Sequence, residues 1–351
     1  MSEERKLKLG FLGVGAIAQL AHLPAAVKAE NVDLVAVCDA SEEMAREIAH
    51  VYGAREWFTD HEAFLANAEI EAVLIPVPDP FHAPLTIAAL EAGKHVLVEK
   101  PLALDVPEAE AMCEAAERAG KQLQIATMKR WDPGLQYAQT FAAHEMGQRL
   151  TVSGWYCDTR YHGTYVNTHW PIRRFAEGRK RPEPGPPSHP LRWIILGHGV
   201  HLIDTLCFFG GRIAAVTAAV SSKYGSNGIC GTLEYEDGAT GTFQLTCTVT
   251  MDWCEGLLVH GERGSIEAKI GFPYWKAGSQ VRVFDAAHEE YRTPVTPDSD
   301  PYERQLEGFA AAILGAYDVS PSGKDGLHDQ RVLEAIETAV KGGGKAAVTL
   351  D

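Results

Sequence analysis

The chain lacks paired cysteines. Seven stand at positions 38, 113, 157, 207, 230, 247 and 254 of 351 residues, odd in number and with no C-x-x-C motif. This excludes a disulfide framework or a thiolate metal site and predicts reduced packing residues. Positive charge is also scarce. Thirty-two Lys and Arg against 47 Asp and Glu leave a net charge of −15, which argues against nucleic-acid or membrane-surface partners. The charged N-terminus MSEERKLKLGFLG has no secretory h-region, and no apolar run near the roughly twenty residues of a membrane span is apparent, so a cytoplasmic protein is expected. G-x-S-x-G and H-E-x-x-H are missing as well, which leaves simple hydrolytic and zinc mechanisms without an anchor.

What is present is a two-part chain, as its length suggests. From residue 7 to about 127, short β-rich runs (LKLGFLG, VDLVAVCD, AVLIPV, KHVLVE, LQIAT) alternate with helical stretches such as SEEMAREIAHVYG and VPEAEAMCEAAERAG. That alternation predicts a doubly wound parallel sheet over residues 1–127. Beyond it, LTVSGWYCDT, IAAVTAAVSS, GTLEYEDG, TGTFQLTCTVT, GLLVHGERGSIEAKI and VRVFD read as strands of a large, mostly antiparallel sheet in an α+β domain over residues 128–351. Helices are expected near 199–209, 302–315 and 328–341. Residues 170–193 form an insert with five prolines from 182 to 190 and a cluster of Arg173, Arg174, Arg179, Lys180 and Arg181.

Two strand ends carry candidate chemistry. Gly13-Val14-Gly15-Ala16-Ile17-Ala18 follows the first strand and opens a helix. Gly13 permits the tight turn, Gly15 lets a pyrophosphate approach the backbone, and Ala18 permits close helix–strand contact. Asp39 ends the next strand at the position of a ribose-binding carboxylate, so a dinucleotide site is expected, with NAD favoured over NADP because the aspartate repels a 2′-phosphate. Lys100 stands at the carboxyl end of another strand, where open α/β sheets bind ligands. From spacing alone, a substrate-polarising lysine and a surface lysine are equal readings.

The stretch IILGHGVHLIDTL, residues 194–206, holds two histidines and an aspartate. On a regular helix from Gly197, each residue turns about 100°, so Gly197, His201 and Asp204 share an arc of about 60° and His198 lies about 60° beyond His201. Val200, Ile203 and Cys207 form the core stripe. The three polar side chains spread too far for one metal ion without outside ligands, so no metal is expected. Catalytic and purely structural readings of the histidines stay open on spacing alone.

The segment AVLIPVPDPFHAPLTIAALEAGKHVLVEKPLALD resembles the signature block of the glucose-fructose oxidoreductase and inositol dehydrogenase family (Gfo/Idh/MocA), and GVGAIA, IATMKRWDP and HGVHLIDTL match further blocks in order. The resemblance implies a Rossmann domain, a substrate-binding and oligomerising C-terminal domain, and hydride transfer with a sugar, sugar derivative or cyclitol. It also implies a homodimer or homotetramer built by packing sheets face to face. By position, Gly13, Gly15, Ala16, Ile17 and Ala18 would hold the pyrophosphate and Asp39 the ribose. Pro78 and His82 would line the cofactor cleft, with Glu99, Lys100 and Arg130 beside the nicotinamide. His201 would be the catalytic base, with Lys100 stabilising the developing alkoxide. Asp204, one turn on, either orients the imidazole or serves as a cap or interdomain contact, and His198 is read as a substrate contact. Met128 stands where a polar residue is frequent, and Gly197 where many members carry an aspartate.

Arg173 or Arg174 can bind an acidic substrate group, or the insert is a solvated loop or subunit arm. Tyr161, Tyr165 and Trp170 offer flat surfaces for a sugar ring, and packing explains them equally well. Three functions fit: an NAD-dependent dehydrogenase, an NAD-assisted glycoside cleavage without net redox, and a cofactor-binding regulator.

Overall fold

A computed structural model describes residues 5–170, 174–175, 190–315 and 317–350, and the described chain forms two compact units. The first gathers the described residues up to Thr127 with Trp170, Arg174, Phe175 and Tyr302–Leu327; the second takes Met128–His169, the described residues up to Pro301, and His328 onward.

In the first unit, β1 (Leu7–Leu12), β2 (Val32–Cys38), β3 (Glu56–Phe58), β4 (Ala72–Ile75), β5 (His95–Glu99) and β6 (Leu123–Ala126) form a wholly parallel sheet of order β3-β2-β1-β4-β5-β6. The five expected strands are present. The sixth, β3, is a three-residue edge strand too short to show periodicity. Local signals mark the helix ends: Ser41 caps Glu42–Tyr52 by accepting from the Met44 N–H, and Gly53 closes it in the left-handed region at φ 76°.

Val35, Val73, Val96 and Val98 project into one core, and Leu9, Phe11, Leu34 and Leu97 into the other. The second of these cores also receives Leu306, Phe309 and Ala310 from the helix Pro301–Gly315. That helix lies far along the sequence, in the stretch expected to belong to the second domain. Its apolar stripe is buried in the first unit, a long-range contact that periodicity does not reveal.

The second unit contains β7 (Arg149–Thr159), β8 (Ile213–Lys223), β9 (Ser226–Tyr235), β10 (Thr240–Val249), β11 (Cys254–Gly261), β12 (Gly264–Ile270), β13 (Gln280–Asp285), β14 (Glu290–Arg292) and β15 (Lys345–Ala347). Their order is β14-β13-β12-β11-β7-β10-β9-β8-β15; β7 and β10 pair in parallel and every other pair is antiparallel. β10 alternates strictly, with Gly241, Phe243 and Leu245 buried and Thr240, Thr242 and Gln244 exposed, so one sheet face packs on helices and the other does not.

Among the described residues, one helical run, Leu191–Gly210, is long and apolar enough to cross a membrane, with mean hydropathy 1.4, and 67% of its apolar window is buried inside the protein. The sequence reading missed this run because Arg192, His198, His201 and Asp204 interrupt it. Ile194, Ile195, Val200, Leu202, Ile203, Leu206 and Phe209 pack into the core beneath the large sheet.

Cys38, Cys113, Cys157 and Cys247 are buried, as expected of packing residues, whereas Cys230 is exposed. Burial pushes the Cys38 and Cys247 thiols up to about 12, so both stay protonated and unreactive.

His95, at the start of β5, accepts from the Gln122 N–H through Nδ1 at 3.1 Å. Burial, helped by the Lys121 charge, lowers its pKa to about 4. The folded state therefore binds this proton less readily than the unfolded chain, and stability falls as pH drops from about 6.5 towards 4. Urea unfolding across that window is expected to show a proton-linked slope that His95→Gln reduces. An unchanged slope in the variant would rule His95 out as its source.

Candidate active site

In the first unit, the glycine turn is built as its sequence requires. Gly13 has φ +106°, and a Cβ there would lie 2.6 Å from Val77 Cγ1, so backbone and space both demand glycine. A Cβ on Gly15 would meet no atom within 4 Å, which leaves an open cradle at the start of the helix that begins at Ala16. Gly15 and Ala16 are exposed, Ile17 is half-buried, and Ala18 is fully buried in the core. Asp39 accepts from the Val14 N–H at 3.2 Å and from the Ser41 N–H at 2.9 Å, so its carboxylate is fixed beside the turn. An open glycine cradle at a helix start with a carboxylate alongside fits a dinucleotide.

The neighbours of Lys100 are more tightly bound than the sequence suggested. Glu99 is buried and accepts from His22 Nε2 at 2.6 Å and from the Lys100 N–H at 3.0 Å. Burial opposes its ionisation, yet the His22 hydrogen bond and the charges of His22, Lys100 and His82 hold its carboxyl below the usual range. His22 is itself fully buried and packs edge-on against Tyr302 at 5.1 Å. His82, expected to line the cleft, is also fully buried; its ring nitrogens lie 2.7 Å from the Pro101 carbonyl and 2.9 Å from that of Val77. It fastens the loop carrying the exposed Pro78 to the turn after Lys100. Lys100 is half-buried.

Part of the insert belongs here as well. The Gln19 amide donates to the carbonyls of Val14 and Arg174 and accepts from the Arg174 N–H, and Arg174 pairs with Glu47. Arg174 is therefore committed to a carboxylate of its own unit. Trp170 is buried against Phe175, at 5.5 Å, which favours the packing reading over a sugar platform. Arg173 and most of the insert lie outside the described residues.

The second unit holds the two histidines. The regular helix assumed from Gly197 begins at Val200; Ile195–Gly199 forms a wider π-helical turn. The 100° spacing therefore fails across His198, which turns its Nδ1 to within 3.3 Å of the Tyr156 hydroxyl. His201, half-buried, stacks on the Tyr156 ring at 4° and 5.9 Å. Val200 and Ile203 are buried as expected, and Cys207 only partly. Asp204, offered as a support for His201, is 1% exposed and accepts from Arg130 Nε at 2.8 Å. Arg130, expected beside the nicotinamide, has its guanidinium in this buried pair and 5.2 Å over the Phe208 ring. Tyr161 is exposed, and Tyr165 donates to Asp252 at 2.6 Å.

Sequence reasoning missed the centre of this cluster. Tyr156, on β7, is buried beside Trp253, with Lys129 Nζ 4.8 Å over its ring. Burial, aided by the charges of Glu255 and Asp158, raises the phenol well above its usual range and keeps it protonated. Lys129 pairs with buried Glu255, whose carboxyl burial pushes up although Lys129 pulls it down. Asp158, two residues along β7, accepts from His162 Nδ1 at 2.8 Å and faces His198 Nε2 at 4.0 Å. Alternation along LTVSGWYCDT puts Tyr156 and Asp158 on one face, the only sequence signal for either. Among the described residues, Asp285, His288 and Glu290 form a group of side chains able to converge on a metal.

Comparison with known proteins follows this geometry. The models of one oxidoreductase family match the chain, its NAD-binding Rossmann fold over residues 7–127 and its C-terminal alpha/beta domain over residues 194–349. D-xylose 1-dehydrogenase (NADP(+)) 2 of Haloferax volcanii is 27% identical over 98% of this chain and all of its own length. 1,5-anhydro-D-fructose reductase of Ensifer adhaerens is 26% identical over 97% of this chain and 98% of its own. An uncharacterized oxidoreductase of Rhizobium meliloti is 37% identical, over 42% of this chain and 45% of its own. Levoglucosan dehydrogenase, solved with NADH, has a TM-score of 0.80 at 21% identity, covering 99% of this chain and 100% of that one, a likeness of fold.

Two outcomes test these assignments. Gly13→Ala is expected to lose about 1 kcal/mol or more of stability, whereas Gly15→Ala should melt like the parent and weaken NADH at least about tenfold in a fluorescence titration. Equal NADH affinity in Gly15→Ala would refute the cradle. Asp204→Ala leaves the Arg130 charge buried and should cost about 3–5 kcal/mol in urea unfolding; a change below about 1 kcal/mol would show that the pair does not hold the helix.

Proposed function

Because the chain belongs to the Gfo/Idh/MocA oxidoreductase family, we propose that it is an NAD-dependent dehydrogenase or reductase acting on a secondary ring hydroxyl of a sugar, sugar derivative or cyclitol. The observation that carries this reading is the half-buried His201 imidazole, stacked on a protonated tyrosine and standing on a helix fixed by Arg130 and Asp204.

The nicotinamide, when bound, accepts or donates the hydride. His201 takes the proton of the hydroxyl whose carbon is oxidised. Lys100 donates to that oxygen and offsets the negative charge developing on it. Tyr156 sets the plane of the His201 ring. The fixed Asp39 carboxylate, followed by Glu42 and Glu43, supports NAD over NADP, since all three repel a 2′-phosphate. We assign the protein to the cytoplasm and read the exposed face of the nine-stranded sheet as the surface of a homodimer or homotetramer.

Purified protein with NAD and a panel of monosaccharides, cyclitols, uronates and glycosides is expected to build the absorbance of reduced nicotinamide with at least one of them. Lys100→Ala and His201→Ala should each lower kcat at least about a hundredfold while NADH affinity stays within about twofold. Full turnover in either variant would remove that residue from the chemistry. Product release without reduced cofactor, with solvent deuterium entering the sugar, would instead indicate cleavage without net redox.

A further inference from the structure

We propose that Asp158, on β7, supplies the carboxylate that Gly197 lacks and acts as a positioning residue through His198; this rests on the reading of His201 as the base. Gly197 is not forced by the fold. A Cβ there would meet no atom within 4 Å, and its backbone is outside the left-handed region, so packing and strain both tolerate a larger residue. Space for a side chain exists there.

A carboxylate nevertheless reaches the cluster from the sheet side. Asp158 is 7% exposed, and a buried carboxylate persists only with partners. Among the described residues, two imidazoles partner it: Oδ1 accepts from His162 Nδ1 at 2.8 Å, and Oδ2 faces His198 Nε2 at 4.0 Å. Lys129 pairs with Glu255 and Arg130 with Asp204.

The contacts around His198 favour one placement of its proton. A carboxylate opposite Nε2 favours the N–H on that nitrogen, as in other carboxylate–imidazole pairs. Nδ1 is then left as an acceptor, and the Tyr156 phenol, kept protonated by burial, donates to it. With its hydroxyl anchored, Tyr156 presents its ring to His201 at 4°. Asp158 thus orients His198, His198 orients Tyr156, and Tyr156 holds the plane of the base. The negative charge also steadies any imidazolium formed in the cluster.

Long-range proton–nitrogen spectra of the histidine rings provide the direct test. In the parent, His198 is expected as the Nε2–H tautomer; in Asp158→Asn it should become a mixture, and in His162→Gln, a milder change at a part-exposed ring, it should shift in the same direction. An unchanged His198 tautomer in both variants overturns the proposal. With a sugar that the parent turns over, Asp158→Asn should lower kcat at least about tenfold with KM and NADH affinity within about twofold, and adding Gly197→Asp should recover most of that loss. No recovery overturns the equivalence of the two positions. If the parent oxidises nothing with NAD, the functional reading falls, while the ring spectra still decide whether Asp158 governs His198.

Discussion

The buried ion pair between Arg130 and Asp204 is the constraint on which the histidine-bearing part of the second unit depends. The run Leu191–Gly210 is apolar on most of its circumference, and hydrophobic burial has no direction, so it alone sets the rotation of such a helix loosely. A carboxylate 1% exposed is satisfied at one rotation only, the one that meets its guanidinium. His201 stands three residues before Asp204, and that rotation is the one at which its ring lies flat on Tyr156.

The first unit follows the same logic with different groups. Lys100 is placed by its neighbour Glu99, which is bound by His22 and by the Lys100 main chain. The glycine turn is placed by Asp39 through Val14 and by Gln19 through the Val14 carbonyl. In each case a polar bond beside the candidate residue fixes the backbone, while Lys100 stays half-buried and Gly15 exposed. The cost of burying those polar groups is offset by their pairing, and position is what the protein gains.

This arrangement explains what could be read from the sequence. Both sheets and the glycine turn follow from local periodicity and from residues with special backbone needs, and Gly13 and Ala18 behave as their types require. Lys100 and His201 were reached through family resemblance as much as through spacing. Tyr156, Asp158, Lys129, Glu255 and His22 escaped, because each matters through a partner distant in sequence: 77 residues for His22 and Glu99, 126 for Lys129 and Glu255, and 42 for Tyr156 and His198, the ring that Asp158 also faces. Arg130 and His82 were assigned to the cofactor by position, yet their polar atoms are engaged by Asp204 and by two main-chain carbonyls. The helical wheel failed at His198 for a further reason, the change of helix type.

That change recurs. The described chain has two π-helical turns, Ala18–His22 after the glycine turn and Ile195–Gly199 before the regular helix, and each includes a histidine whose ring reaches a partner on a neighbouring strand. His22 meets Glu99 at the end of β5, and His198 meets Tyr156 on β7. A π turn inserts one residue into the helical ladder and swings the side chains that precede it relative to those that follow. On a regular helix a histidine three residues before His201 would lie about 60° away, near the same wall of the site. The wider turn lets His198 serve the strand while His201 and the open face at Gly197 serve the space in front of it. A glycine at 197 therefore fits the geometry twice: it sits within the turn that redirects His198, and it leaves the carboxylate's work to the strand that His198 now faces.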